Sequence, residues 1–200
     1  MSRRGAGFSL VELLIGMAFL GLFGIVVQQF CSAMLRGVRV LEVASEAQEA
    51  ARLGVQLIVA DAREAGFSPG GPLADGVRRA GREAFAIARD LDGDGDVNDA
   101  NERVTYQYAA DRHALLRAQG DAPAQPLFSD LADDGLTFSY LAADGAPLPT
   151  SDGELDAAQR ARIRRVAVRL AISIRHPDPA YPLPLRAEQD AVATLRNGAP

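Results

Sequence analysis

An apolar run from Phe8 to Val27, carrying one charge at Glu12, constrains this chain more than any other feature. It is about 20 residues long, and a helix of that length covers roughly 30 Å, the hydrocarbon thickness of a bilayer. Arg3 and Arg4 precede it, followed by Gly5-Ala6-Gly7. A carboxylate this early in a membrane-length segment is expensive to bury alone, so Glu12 reads as functional. The simplest alternative is an uncleaved signal-anchor that happens to carry a glutamate. An ordinary signal peptide fits worse, because small residues should follow its core, whereas Gln28, Gln29 and Phe30 stand there. The plausible cut lies before the core, after Gly7.

The series Arg3-Arg4-Gly5-Ala6-Gly7, then Phe8-Ser9-Leu10-Val11-Glu12, resembles the class III leader of type IV prepilins and type II secretion pseudopilins. The resemblance implies that a membrane-embedded prepilin peptidase cuts between Gly7 and Phe8 and methylates the new Phe8 amine. It also implies that Glu12 meets the terminal amine of a neighbouring subunit during assembly. The physics agrees with that pairing, since a cation beside a carboxylate in lipid offsets its desolvation. Cleavage creates such a cation at the same depth on every subunit. The implied organisation is a leader over residues 1–7, a transmembrane and filament-core helix over 8–30, and a periplasmic head over 31–200.

The chain's 200 residues suit one globular domain plus an anchor helix. Its formal charge of -5 becomes -5 - 2 = -7 once Arg3 and Arg4 leave with the leader. A mildly acidic head without a basic cluster interleaved with aromatics does not indicate nucleic-acid binding. Cys31 is the single cysteine, so an intramolecular disulfide is impossible.

Gly16, Gly21 and Gly24 dot the apolar run, where small residues let neighbouring helices approach. The helix should continue past the membrane. No proline interrupts Arg36 to Glu64, and Leu41, Ala44, Ala47, Ala51, Val55 and Ile58 form an apolar stripe opposite Glu42, Glu46, Glu49 and Gln56. Gly66 and Ser68-Pro69-Gly70-Gly71-Pro72 should end it. A loop is expected over 68–82, then strands at Ala84–Ala88, Val104–Tyr108, Ala114–Arg117 and Leu136–Tyr140. Later, Val166, Val168, Leu170, Ile172 and Ile174 alternate with Arg165, Arg169 and Arg175, the pattern of a half-buried antiparallel strand. After the prolines at 177, 179, 182 and 184, a last short strand is expected near Ala191–Leu195. One long helix followed by strands reads as α+β, and the resemblance implies a pilin-like long helix packed against an antiparallel β-sheet.

Local wording sharpens the resemblance. Asp61-Ala62-Arg63-Glu64-Ala65-Gly66-Phe67 looks like the D-x-R-x-A-G-[FY] segment of W-type minor pilins and J-type pseudopilins, and Leu195-Arg196-Asn197 is similar to their final strand ending.

A second loaded stretch runs from Asp90 to Glu102. Counting from Asp90, oxygen-bearing side chains fall at positions 1, 3, 5, 9 and 12, with Gly95 at 6, the spacing of an EF-hand loop. The candidate ligands are Asp90, Asp92, Asp94, Asp96, Asn98, Asn101 and Glu102. The stretch resembles dockerin calcium loops more closely, with Gly-Asp-Gly and Val-Asn in the same places. It departs at position 12, where Asn101 replaces the bidentate acid and Glu102 comes one residue late. Five Asp and one Glu in 13 residues repel one another unless a cation intervenes. The bland alternative is a solvated acidic turn. A structural Ca2+ is expected rather than Mg2+, which resists giving up its waters for an all-protein cage.

Catalysis finds no support. His113 and His176 stand apart from any zinc-type cluster, and there is no nucleophile elbow, P-loop or dinucleotide fingerprint. The resemblance implies a minor pilin, anchored in the bacterial inner membrane and joined by an assembly platform to other pilins, at the tip or in the priming complex of the filament. The alternatives are a J-type pseudopilin of type II secretion and a membrane-anchored, calcium-stabilised binding domain that never polymerises.

Overall fold

One continuous helix, α1 (Leu10–Arg63), sets the shape of the protein. The computed structural model describes residues 9–73, 75–150, 153–178 and 181–195, so the expected cut between Gly7 and Phe8, and Arg196 and Asn197, lie outside it. With no proline within it, α1 keeps its hydrogen-bond ladder for 54 residues. Among the described residues nothing buries its first half: Phe19 is 68% and Leu20 72% exposed. Burial begins at Ala47 and continues through Ala51, Val55 and Ile58, as the stripe's spacing led one to expect, and then on to Ala62. Leu41, the first residue assigned to that stripe, is instead exposed, because the head starts about one turn further along.

The strands after α1 divide between two antiparallel sheets. The first holds β1 (Val77–Ala80), β2 (Ala84–Ala88), β3 (Arg103–Ala109), β4 (Ala114–Gln119) and β5 (Gln125–Phe128) in chain order. The second has the order β7-β6-β8-β9, built from β6 (Leu131–Leu141), β7 (Pro147–Leu148), β8 (Arg165–Ile174) and β9 (Leu185–Thr194). A short helix, α2 (Ala157–Ala161), starts in a capping box made by Asp156 and Gln159. β1 lies inside the stretch expected to be a loop; its Val-Arg-Arg-Ala sequence has no alternation to advertise it. β9 is longer than expected, beginning directly after Pro184 and pairing along its whole length with β8.

Helix α1 lies on β8 and β9. Ala47 and Ala51 cluster with Ile172 and Ala187. Further along, Gly54 sits so close to the second sheet that a Cβ there would fall 2.5 Å from Leu170 Cδ2. These contacts run α1 in the same direction as β9 and opposite to β8. The two sheets meet at aromatic contacts: Phe85 stacks on Phe138 at 5.4 Å, and the Tyr140 hydroxyl donates to the Gly81 carbonyl at 2.8 Å. Burial pushes that phenol's pKa up, so it stays a donor.

The distal end of α1 is fixed by a buried polar knot. Asp61 accepts from the Tyr106 hydroxyl at 2.5 Å, from Arg117 at 3.1 Å and from Arg89 at 3.2 Å. Arg89 also reaches Glu64. Removing one partner from such a cluster strands the others without solvent. Asp61→Ala should therefore lower unfolding free energy by about 3–5 kcal/mol, read by chemical denaturation of the detergent-solubilised chain. A change below about 1 kcal/mol would show that the knot contributes little.

Candidate functional site: the uncovered helix and the acidic loop

The acidic loop, residues 89–102, joins β2 to β3, and the end of α1 holds its base. Past the helix, Gly66 turns the chain at φ 74°, a conformation open to glycine, and its N–H donates to the Ala88 carbonyl at 2.8 Å. The Asp90 N–H then donates to the Phe67 carbonyl at 2.8 Å. Gly76 crosses so near that a Cβ on it would stand 2.4 Å from the Gly66 nitrogen. Arg89 N–H donates to the Glu102 carbonyl at 2.9 Å, closing the loop, while its guanidinium reaches the Asn101 carbonyl at 3.2 Å. One arginine thus touches the loop and both carboxylates at the helix end.

Within the loop, Asp90 and Glu102 are buried and Asp92 is exposed. Their nearest carboxylate oxygens lie within 4.8 Å of one another. Asp90 accepts from the Gly93 amide at 2.6 Å, the Gly95 amide at 3.2 Å and the Ser68 hydroxyl at 2.9 Å. Gly93 and Gly95 both have positive φ, which explains the glycines at those places. Glu102 accepts from the amides of Leu91 at 2.7 Å and Asp99 at 3.3 Å.

The remaining expected ligands are arranged differently. Asp92, Asp94 and Asp96 each accept the amide two residues on, at 3.2, 2.9 and 2.8 Å, the last from Asn98. Asn101 offers its backbone carbonyl to Arg89. Of the seven, Asp90, Asp92 and Glu102 are the ones brought together. Among the described residues, no arginine or histidine forms an ion pair with any of those three. Exposed Asp99 feels the crowding: Asp92 first, then Glu102, raise its carboxyl pKa. Its ionisation is therefore unfavourable to the folded loop, and the penalty grows as pH rises through that raised pKa.

The uncovered half of α1 is the second feature. From Leu10 to Val38 its large apolar side chains are exposed around the whole circumference, with Glu12 in the first turn. A surface of that size and polarity is not left to water. Length and composition allow this helix to cross a bilayer.

Asp61 was visible in the sequence as part of a local motif, but its partners Arg89, Tyr106 and Arg117 were not. They stand 28, 45 and 56 residues away, and only the sheet brings them together.

No family model matches the chain, and no curated protein does. Among solved structures it is similar to a type IV-like pilin from Thermus thermophilus, with 12% identity and a TM-score of 0.49. The match covers 76% of this chain and 96% of that one.

Proposed function

We propose that this chain is a minor pilin of a type IV pilus. The observation that carries the proposal is an apolar half-helix, bare on all sides and continuous with a helix locked into the head, beginning beside Glu12. Prepilin peptidase cuts between Gly7 and Phe8 and methylates the new amine. The mature helix then anchors the head on the periplasmic side of the inner membrane until the assembly platform moves it into a filament with other pilins. Along that route Glu12 and a subunit's N-terminal amine neutralise each other, which removes the penalty of carrying either into an apolar core. Subunits stacked by their helices repeat without closing, the geometry of a fibre.

The Asp61 to Phe67 segment supports a W-type minor pilin or a J-type pseudopilin over other pilin classes. Asp61 anchors the polar knot and Gly66 makes the turn that starts the head. A J-type pseudopilin shares this segment and differs in the machine it serves.

The acidic loop adds a structural calcium ion to this reading. Buried Asp90 and Glu102, with Asp92 beside them, offer hard oxygen donors without a side-chain cation. They fit a calcium ion, which supplies the missing positive charge and stiffens the loop. Its base is tied to α1 through Arg89, so the ion strengthens the joint between helix and head.

Mass spectrometry of the protein recovered from its own cells tests the first reading. The mature chain should begin at Phe8 with one added methyl group, and a chain that keeps its initiator methionine or is trimmed beyond the apolar run contradicts it. Glu12→Ala should still be cleaved but largely excluded from sheared filaments; parent-level incorporation would remove the pairing from the account. For the ion, calcium should raise the melting temperature of the solubilised chain over that in chelator. Asp92→Ala combined with Asp94→Ala should erase the difference, whereas a parent protein indifferent to calcium would return the loop to a solvated turn.

A further inference from the structure

Sheet edges carry unpaired N–H and C=O groups, and proteins normally cover, shorten or interrupt them. Three edges here are treated that way. On β1, the Leu155 amide donates to the Ala80 carbonyl at 2.9 Å, and Arg160 donates to the Val77 carbonyl at 3.2 Å. Strand β5 has four residues and contains Pro126; β7 has two and contains Pro147. The fourth edge, β9, has ten residues, no proline or glycine, and an unbroken register against β8.

The direction of its backbone groups follows from the ladder. The Ser173 N–H donates to the Asp130 carbonyl, so the odd residues of β8 face β6 and the even ones face β9. The register pairs those even residues with Leu185, Ala187, Gln189, Ala191 and Ala193. Arg186, Glu188, Asp190, Val192 and Thr194 therefore turn their backbone groups to the open side. Consistently, the Asp190 carbonyl takes a hydrogen bond from the Gln189 side chain rather than from β8. The charges that could guard this edge are drawn back onto their own sheet. Arg169 holds Glu188 and Asp190 at 3.0 Å each, and Arg186 holds Glu188 at 3.4 Å.

We propose that the open edge of β9 receives an added strand from a different protein chain, a neighbouring subunit. Its segment is extended and places uncharged side chains along this edge, because Arg169 and Arg186 already match Glu188 and Asp190. Such augmentation takes affinity from backbone hydrogen bonds and selectivity from alternate side chains. A second copy of this chain is the wrong occupant, an argument that rests on α1 being the anchor. Helix α1 runs with β9, so antiparallel β9–β9 pairing would point the two apolar half-helices in opposite directions. Parallel, in-register pairing would bring Glu188 and Asp190 against their own counterparts, and like charges across a pair are unfavourable.

Hydrogen exchange followed by mass spectrometry, on the full chain in sheared filaments and on the detergent-purified chain, tests the proposal. The open-side amides of the Leu185–Thr194 segment should exchange roughly tenfold or more slowly in the filament sample. Val192→Pro removes an open-side donor and leaves the β8 ladder intact, a position where edge strands accept proline. That variant should melt like the parent when purified yet be lost from filaments, while Val192→Thr is retained. Equal exchange in both samples, or normal incorporation of Val192→Pro, overturns the proposal. So does protection of the same amides in the concentrated purified chain, which would identify a second copy as the occupant. The N-terminus read on the same filament sample separates the two levels: a methylated Phe8 with an unprotected β9 defeats the edge alone. An unprocessed chain defeats the edge and the pilin reading together.

Discussion

Among the described residues nothing buries the first half of α1, and the rest of the structure fixes the direction in which that half projects. Leucines, isoleucines and phenylalanines from Leu10 onward stand in the open on a helix whose other half is pinned. Ala47, Ala51 and Gly54 let the backbone settle onto the second sheet, and the Asp61 knot holds the far end. A helix free to tilt at its joint would place its apolar half anywhere. One fixed at both ends of the head projects it along a single line, which is what a repeating assembly needs.

The joint and the acidic loop share a component. Arg89 follows directly on β2, reaches back to Asp61 and Glu64, and also holds the Asn101 carbonyl. Loop geometry and helix attachment are therefore coupled through one guanidinium, whose planar, multi-donor head suits that role better than lysine would. The arrangement explains why an irregular loop with four exposed aspartates, Asp92, Asp94, Asp96 and Asp99, has a well-defined base.

Elements governed by period were legible in the sequence. The apolar run and its continuation marked out α1 nearly to its ends, and the alternation of Val166, Val168, Leu170 and Ile172 with Arg165 and Arg169 marked out β8 with the correct face inward. The α+β arrangement followed. Elements made by context were not legible: β1 is held by pairing and by α2, and β5 and β7 are short strands containing proline. The division into two sheets depends on which strands meet, and no local pattern states that. In the acidic loop, the candidate ligands that lie together are Asp90, Asp92 and Glu102, three of the seven that spacing offered. Spacing offered both Asn101 and Glu102, and their different settings depend on the backbone path: Asn101 turns its carbonyl to Arg89, while Glu102 folds inward onto the amides of Leu91 and Asp99.

The filament reading depends on the bare face of α1 finding other helices. The direct measurement is photo-crosslinking from a benzophenone-bearing residue in place of Phe19, in the full chain within its own cells. The account predicts covalent adducts between that position and the apolar helix of another filament subunit, recovered in sheared filaments. If the chain stays entirely in the membrane fraction and yields adducts with lipid alone, the helix is an anchor and nothing more.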